Sequence, residues 1–383
     1  MGLFNRLKNT TFKQQRMKAW QPVLTPKTVL STLFNVALSL APIGGLLIWG
    51  SGQVTEMTFD YTQCDSAGGN ASSLQDAITN HAIDNPTPVG TAPVYAFFTN
   101  DSAAIGEQHQ CIIQFEIPYD IKPTVLLYYK LTGFHQNHRR YMLSSDPDQL
   151  RGKWRSTSDL QKGKCDPVAR VTYSDETAPK GIYPCGLIAN SMFNDSFSNL
   201  TEVEQSSSSS ESNTYILSES GIVWPGEEKR YVETPGNNIS ELVPPPNWAL
   251  KYPNGYTSDN PPPNLRADVH LQVWMRTAGL STFHKLWARN DHDVLRQGTY
   301  QITVFMNYPV KSYSGTKSIV ISTVSWVGGK NPFLGWLYVA TSATFFLIAI
   351  AGTVRYVLKP SLYYRPTPRH TTLLSKATGD NIS

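Results

Sequence analysis

"VLSTLFNVALSLAPIGGLLIWG" (residues 29–50) and "FLGWLYVATSATFFLIAIAGTV" (residues 333–354) are two stretches of 22 residues without a charged side chain. A helix needs about 20 apolar residues to cross the ~30 Å hydrocarbon core of a bilayer. Either stretch could alternatively be a buried core helix. The first could also be a cleaved signal peptide, but its apolar run is longer than the ~7–15 residues usual in the hydrophobic region of a signal peptide. Because charge is absent over this length, we predict transmembrane helices at residues 29–50 and 331–358, the first an uncleaved anchor.

Basic residues are concentrated at the two ends of the chain. Six of them and no acid precede residue 29, and five with one acid follow residue 354: Arg6, Lys8, Lys13, Arg16, Lys18, Lys27, Arg355, Lys359, Arg365, Arg369, Lys376 and Asp380. Lys and Arg beside a membrane helix stay on the cytoplasmic side. We therefore predict a cytosolic basic arm at residues 1–28, a cytosolic tail at residues 359–383, and one lumenal or extracellular domain at residues 51–330. A nucleic-acid partner is not expected, because such proteins spread positive charge over a folded face.

The predicted spans contain polar residues but almost no ionisable ones. Asn35 and Ser342 are able to hydrogen-bond between helices, and Gly44-Gly45 allows a partner helix to approach closely. An ion or proton pathway normally needs ionisable or polar groups along its wall. The scarcity of such groups favours a subunit that binds another membrane protein. A subunit of a two-span ion channel is the alternative.

All four cysteines lie in the predicted exported domain: Cys64, Cys111, Cys165 and Cys185. An even number of cysteines in an exported domain predicts disulfides. Three pairings exist, and we favour Cys64 with Cys111 and Cys165 with Cys185 because sequential pairing keeps the closed loops short. A zinc site is the alternative, but C-x-x-C spacing is absent from the sequence. We accordingly expect no metal and no cofactor.

Five N-x-[ST] sequons lie in the same segment, at Asn70, Asn100, Asn194, Asn199 and Asn238. One sequon alone is weak support for glycosylation. Here the sequons agree with the side of the membrane that the charge distribution predicts. Asn9 and Asn381 also fit the pattern, but the predicted topology keeps them cytosolic and unmodified.

The exported segment is predicted to be mainly β. Period-two alternation and β-branched or aromatic residues mark strands at residues 111–117, 124–131, 268–275, 299–308 and 317–327. These patterns predict a half-buried antiparallel sheet, in a sandwich-like arrangement. "VEQSSSSSES" (203–212) is too polar to pack and is predicted to be a flexible loop. The proline-rich residues 242–248 and 260–265 are predicted to form polyproline II segments on the surface.

The sequence contains no phosphate-binding loop, nucleophile elbow or H-E-x-x-H motif. Two polar clusters remain as candidates for a metal-binding or catalytic site. "FHQNHRRY" (134–141) contains H-x-x-H without a nearby acid or cysteine, and we interpret it as a surface patch. Its Arg139 and Arg140 are able to pair with carboxylates of a partner. "NDHDVLRQG" (290–298) is interpreted as a solvated turn. A glycan-processing enzyme would need paired carboxylates in a cleft, which sequence alone does not test.

Seven blocks of sequence resemble one known family. They are "FKQQRMKAWQPVLTP" (12–26), "CIIQFEIP" (111–118), "FHQNHRRY" (134–141), "YPCGLIANSMFNDSF" (183–197), "VPPPNW" (243–248), "LQVWMRTA" (271–278) and "GGKNPFLG" (328–335). In this order they are similar to the cell-division-cycle-fifty family of eukaryotes, and to its fungal members above all. The resemblance runs from about residue 12 to residue 358.

The resemblance implies an accessory β subunit of a type IV P-type ATPase, a flippase that moves phospholipids to the cytosolic leaflet. Such a subunit is not an enzyme; it accompanies the ATPase from the endoplasmic reticulum to the Golgi, endosomes or plasma membrane and supports its stability and phosphorylation cycle. It also implies the sequential disulfide pairing and glycosylation at Asn194 and Asn238. Asn70, Asn100 and Asn199 are less secure in this comparison.

Two segments are predicted to do work for such a subunit. In the cytosolic arm, Phe12, Arg16 and Trp20 recur at helical spacing and are placed to touch the ATPase; a lipid anchor is the alternative. "GLIANSMF" (186–193) is predicted to pack into the exported domain or onto the ATPase, held by the bridge from Cys185 to Cys165. Ordinary core packing is the alternative for Leu187 and Ile188.

Overall fold

A computed structural model describes residues 25–66, 72–73, 93–172, 178–203 and 213–359. Residues 204–212 of the loop predicted at 203–212, Asn70 and the arm with Phe12, Arg16 and Trp20 lie outside these ranges. The chain divides into a helical unit, which holds the two apolar helices, and a second unit, Gly50–Lys330.

Seven α-helices occur in the described ranges. They are α1 (Pro26–Gly52), α2 (Arg139–Met142), α3 (Pro147–Leu150), α4 (Thr157–Lys162), α5 (Leu187–Asn190), α6 (Val269–Met275) and α7 (Phe333–Leu358). Helices α1 and α7 are long and apolar enough to cross a membrane. They pack on each other at small residues: a Cβ on Gly335 would lie 2.6 Å from Ile48 Cγ1, and one on Gly44 would lie 2.9 Å from the Gly335 carbonyl oxygen. This close approach is typical of membrane helix pairs.

Fourteen strands, counted over the described residues, form the framework of the second unit. They are β1 (Glu56–Asp60), β2 (Ser72–Ser73), β3 (Val94–Thr99), β4 (His109–Ile117), β5 (Val125–Leu131), β6 (Arg170–Val171), β7 (Lys180–Ile182), β8 (Ser196–Phe197), β9 (Leu200–Glu202), β10 (Thr214–Tyr215), β11 (Leu242–Val243), β12 (Phe283–Asn290), β13 (Gly298–Phe305) and β14 (Lys317–Thr323). One sheet has the order β1-β14-β5-β12, and the other has β10-β9-β13-β4-β3-β2 with β8 beside β13. A small third sheet, β11-β7-β6, contains the parallel pair β11 and β7.

The two large sheets share one hydrophobic core. Along β4, every second residue from Cys111 to Ile117 is buried, which is the alternation that the sequence predicted. Phe59 of β1 stacks on Phe115 of β4 with ring centroids 4.4 Å apart, so side chains of the two sheets meet directly. The expectation of a β-rich, sandwich-like domain with mainly antiparallel strands is confirmed.

One predicted strand is wrong. Residues 269–275 form helix α6. The side chain of Asp268, directly before the helix, accepts a hydrogen bond from the Leu271 amide at 2.9 Å. This is N-capping. The alternation misled because all four residues from Leu271 to Trp274 are buried, so the segment carries no polar face. The helix places the Trp274 ring, which has no exposed surface, in the core between elements of both sheets.

The prediction of surface polyproline II at residues 242–248 is also wrong. Leu242 and Val243 form the buried strand β11, and Trp248 is buried at the end of a 3₁₀ turn. The large apolar residues at both ends of the proline run pull it into the domain because burying them is favourable.

Candidate partner-binding and glycosylation sites

Two disulfides tie the exported domain. Cys64 pairs with Cys111 and Cys165 pairs with Cys185, with Cα–Cα distances of 6.1 and 5.6 Å. Both distances are usual for disulfides. All four cysteines are buried. The first bridge fixes the segment after β1 to the beginning of β4, and the second closes a loop of 20 residues around β6 and β7.

Residues 182–197 contact all three hydrophobic clusters of the domain. Ile188 and Phe193 belong to the large core, Tyr183 to a second cluster, and Ile182 and Cys185 to a third. Two buried tryptophans also bond to this segment: the indole N–H of Trp274 donates to the Ile188 carbonyl at 2.8 Å, and that of Trp248 donates to the Ala189 carbonyl at 2.9 Å. "GLIANSMF" was predicted to pack into the domain or onto the ATPase, and in the structure it packs into the domain. Its Leu187 is half-buried.

Gly186 is a position where only glycine fits. Its φ is +102°, and a Cβ atom there would lie 2.1 Å from the Ser144 carbonyl oxygen. Backbone with this φ is open to glycine and strained for other residues. The tight turn carries the chain from Cys185 directly into helix α5.

A buried ion pair lies at the end of the same segment. The Asp195 Oδ2 atom lies 2.8 Å from Lys317 Nζ, and it also accepts a hydrogen bond from the Tyr61 hydroxyl at 2.8 Å. Its Oδ1 atom accepts from the backbone amides of Asn307 and Tyr308 at 2.5 and 2.6 Å. Burial and the Asp195 charge raise the pKa of Tyr61 well above its usual value, so the phenol stays a donor. Asp195 therefore joins Tyr61, which directly follows β1, to β14 and to the segment after β13.

Four of the predicted sequon asparagines are described, and all are exposed: Asn100, Asn194, Asn199 and Asn238. Asn194 lies between the buried residues Phe193 and Asp195. Asn199 accepts a hydrogen bond from the Leu217 amide at 2.8 Å through its side-chain oxygen. Each of these asparagines is thus on the surface of the folded domain, where a glycan has room.

Arg139 and Arg140, predicted to bind a partner, are both exposed in helix α2. Arg140 makes an ion pair of 3.3 Å with Asp166, whose side chain is also exposed. Beside them, the apolar side chains of Met142 and Leu143 are 49% and 46% exposed. We call these four residues, Arg139, Arg140, Met142 and Leu143, the 139–143 surface.

The helical unit uses few of its polar residues to join α1 to α7. Ser342 donates to the Ala37 carbonyl at 2.7 Å across the two helices. Thr32 and Ser39 instead bond to carbonyls of their own helix. Asn35 is exposed on α1, so its amide is presented to the surroundings of the helix pair.

The two polar clusters weighed as candidates for chemistry have ordinary surface roles in the structure. His135 and His138 are both exposed. In the other cluster, Asn290 Oδ1 accepts from the amides of His292 and Asp293 at 2.9 Å, as expected for a turn. Within the described ranges, no group of three or more His, Cys, Asp or Glu side chains is placed to hold a metal ion.

Sequence reasoning missed two buried lysines, Lys317 and Lys285. Lys285 is 6% exposed and donates to three carbonyls at the end of α6, those of Val273, Trp274 and Arg276. Burial, together with the charge of Arg276, lowers its pKa to about 7. Both lysines occupy inward positions of strands, so the period-two pattern was the available signal; it was overlooked because lysine is rarely buried.

Comparison with known proteins places the chain in a family. Residues 47–362 match the LEM3 (ligand-effect modulator 3) family / CDC50 family. The "Phospholipid-transporting ATPase accessory subunit CRF1" of Saccharomyces cerevisiae is 40% identical over 95% of this chain and 88% of its own length. The accessory subunit CDC50 of Chaetomium thermophilum is 35% identical over 87% and 83%. "Cell cycle control protein 50A" of Bos taurus is 35% identical over 89% and 86%. The chain therefore belongs to the LEM3/CDC50 family.

Proposed function

We propose that this chain is the non-catalytic accessory subunit of a type IV P-type ATPase that moves phospholipids to the cytosolic leaflet of a membrane. One observation carries the proposal: over nearly its whole length the chain is similar to proteins named as accessory subunits of phospholipid-transporting ATPases. The protein is an integral membrane protein. In sequence, one apolar helix precedes the disulfide-bonded β domain and one follows it. The named relatives give no support to the alternative of an ion channel.

We infer that both termini are cytosolic and that residues 51–330 face the lumen or the cell exterior. The basic residues at both ends and the disulfides between the helices support this topology. The complex would then travel from the endoplasmic reticulum to the Golgi, endosomes or plasma membrane. Protease treatment of sealed vesicles should remove tags at either terminus from the cytosolic side and leave the domain intact.

In the membrane, we assign the ATPase to the side of α1 that carries Asn35. Phe34 and Ala37 of α1 contact α7, whereas Asn35 is exposed. An amide facing hydrocarbon loses its hydrogen bonds to water, and a polar group on a neighbouring helix restores them at a gain of about 1 kcal/mol. Asn35→Leu should weaken copurification of the ATPase several-fold, while Leu38→Ala, at a position that is 64% exposed, should have a smaller effect.

On the exported side, the 139–143 surface is our candidate contact with the ATPase. It combines two guanidinium groups with two exposed apolar side chains. The exposed Arg140–Asp166 pair contributes little to folding, since surface pairs give about 0–1 kcal/mol. Arg140 is therefore free to exchange Asp166 for a carboxylate of the partner. Charge reversal of Arg139 and Arg140 to Glu should reduce copurification; reversal of Lys229 and Arg230, another exposed basic pair, is the matched control.

The cytosolic arm is the second candidate contact, through Phe12, Arg16 and Trp20. Replacing all three with Ala should lower both copurification and ATP turnover of the complex. Unchanged turnover would leave only a role in binding anionic lipid, through Lys13 and Lys18.

The whole proposal is tested by gentle detergent extraction of the tagged full chain and identification of its stoichiometric partner. We expect a type IV P-type ATPase in one-to-one ratio. Adding the chain should raise lipid-stimulated ATP hydrolysis of that ATPase, and the chain alone should hydrolyse nothing. Hydrolysis, lipid transport or ion currents produced by the purified chain without a partner would disprove the accessory role.

A further inference from the structure

A cavity of about 400 Å³ opens beside the sequon at Asn194. That volume lies within the range of roughly 300–1,000 Å³ usual for small-molecule pockets. Its apolar lining includes Met192, Trp248 and Trp287, and its rim includes Ile105 and Leu250, which are 65% and 41% exposed. Exposed aliphatic side chains at the mouth of a cavity mark a surface suited to being covered.

Asn194 is held rigidly at this cavity, whose lining includes it. On its two sides, Phe193 is 3% exposed and Asp195 is 1% exposed. The Asp195 carboxylate is locked by four hydrogen bonds, and the Asn194 carbonyl accepts one from the side chain of Asn307 at 3.3 Å. A group attached to the Asn194 side chain would therefore start from a backbone position that is fixed at the cavity lining.

The walls combine apolar surface with hydrogen-bonding groups. Asn247, Lys251, Asp268 and His270 line the cavity together with the two tryptophans. The His270 ring stacks on Trp287 with centroids 3.8 Å apart. Neither ring nitrogen makes a hydrogen bond within the described ranges, although Nε2 lies 3.1 Å from Glu219 Oε2. A sugar ring has one C–H-rich face and a rim of hydroxyl and acetamido groups, which suits apolar walls with a few convergent polar groups.

We propose that this cavity binds the first sugar of the glycan attached to Asn194, an N-acetylhexosamine. The inference rests on glycosylation of Asn194, which the sequon and the family resemblance predict and which we propose here together with the accessory role. The covalent link fixes the occupant, because the sugar starts at a residue that lines the cavity and needs no diffusion to reach it. The bound sugar covers Ile105 and Leu250 and joins the turn at residues 105–107 to residues 247–251. At this site the glycan is thus a packed part of the fold, whereas at Asn199 it extends into solvent.

The first experiment compares glycan release from three sites of the native complex, Asn194, Asn199 and Asn238. Glycopeptide mass spectrometry measures occupancy, and a peptide N-glycosidase is then applied over a time course. We expect release at Asn194 to be about tenfold or more slower than at Asn199 and Asn238, because a packed glycan is cleaved only after local opening. After denaturation the rates should be similar. An unmodified Asn194, or equal release rates in the native complex, would overturn the proposal.

A cavity-filling variant tests the place of the sugar. Leu250→Trp adds a ring at the rim and should raise the release rate at Asn194 to that at Asn199, while Leu280→Trp, at an exposed position outside the cavity lining, should leave it unchanged. Continued protection of Asn194 in Leu250→Trp contradicts the proposal. If Leu250→Trp instead abolishes copurification of the ATPase with release rates unchanged, the cavity belongs to the partner and the sugar assignment is wrong.

Trimming separates the first sugar from the rest of the glycan. An endoglycosidase that leaves one N-acetylhexosamine should not change the midpoint of thermal unfolding, whereas Asn194→Gln should lower it by about 3 °C or more. Equal midpoints for trimmed protein and Asn194→Gln would refute a packed first sugar. Copurification of the ATPase with the wild-type chain is measured in parallel. Failure of the ATPase to copurify would count against the accessory role, whereas the glycan measurements test the sugar site whether or not the ATPase copurifies.

Discussion

Replacing Lys317 with Met tests the buried ion pair at the end of the 182–197 segment. The Lys317 and Asp195 side chains are 4% and 0% exposed, so solvent does not compensate for the loss of one charge. Asp195 would keep its bonds to Tyr61 and to the amides of Asn307 and Tyr308 but would remain a buried anion without a cation. Removing one partner of a buried pair costs about 3–5 kcal/mol. For a domain of this size that corresponds to a drop in the unfolding midpoint of roughly 10 °C.

The double variant Asp195→Asn/Lys317→Met distinguishes charge imbalance from lost packing. The amide oxygen introduced by Asp195→Asn can still accept hydrogen bonds from the two backbone amides, and the Asn-x-Ser sequon at Asn194 is retained. With both charges removed, we expect the double variant to recover at least half of the midpoint lost by Lys317→Met. The control is Lys311→Met, which breaks an exposed pair with Asp65 and should cost at most about 1 kcal/mol.

The assay is thermal unfolding of the full chain in complex with its ATPase, followed by tryptophan fluorescence. A midpoint for Lys317→Met within 2 °C or so of that for Lys311→Met would show that the pair contributes little. A double variant as unstable as the sum of its single variants would show that the two groups are not coupled. Either result would refute the reasoning.

Three further substitutions have expected outcomes that differ in kind. Gly186→Ala should prevent export, because its Cβ would meet the Ser144 carbonyl oxygen at 2.1 Å. The control Gly221→Ala, at a φ of +74° but with nothing within 4 Å of its Cβ, should be exported. Retention of both variants would show that backbone strain alone, and not the contact with Ser144, prevents export. Cys165→Ser opens a 20-residue loop, a loss of about 3 kcal/mol, so its glycans should stay sensitive to endoglycosidase H; arrival at the cell surface with full flippase activity would contradict this. The pKa of Lys285 is about 7 in the folded protein and ~10.4 in the unfolded chain. Between these two pH values the unfolded state binds more protons than the folded state. The free energy of unfolding should therefore rise from pH 7 to pH 9, by at most about 1.4 kcal/mol per pH unit. Lys285→Met should flatten that slope, and a slope identical to wild type would rule out this lysine as its source.

Composition and local periodicity were enough to predict the elements whose surroundings are uniform. A membrane helix such as α1 is surrounded by hydrocarbon on most sides, so its residues are apolar whatever its neighbours are. Strand β4 separates a core from a polar face, so its residues alternate. In both cases the local sequence reflects the local environment directly.

Prediction failed where the environment is made by distant parts of the chain. Helix α6 is surrounded by core on the side of Leu271, Val273 and Trp274, and Gln272 is buried as well because its amide bonds to the Leu265 and Arg266 carbonyls. Polar and apolar residues then no longer report on exposure. The same reason hid the role of Asp195: its local sequence gives no sign that it is buried, and its partner Lys317 is 122 positions away.

The separation between Asp195 and Lys317 also constrains when the exported domain can finish folding. Glycosylation at Asn194 requires an accessible sequon, yet in the folded domain Phe193 and Asp195 on either side of Asn194 are buried. The modification that we propose at Asn194 would therefore precede the final packing of this segment. Burial of Asp195 without a cation would cost several kcal/mol, so the segment cannot reach its stable structure until β14, which carries Lys317, has been synthesised and paired. Only seven residues separate Thr323, the end of β14, from Asn331 beside the second membrane helix. The exported domain therefore finishes folding only when synthesis has nearly reached the second span, and a chain truncated before β14 should not present a finished exported surface to the ATPase.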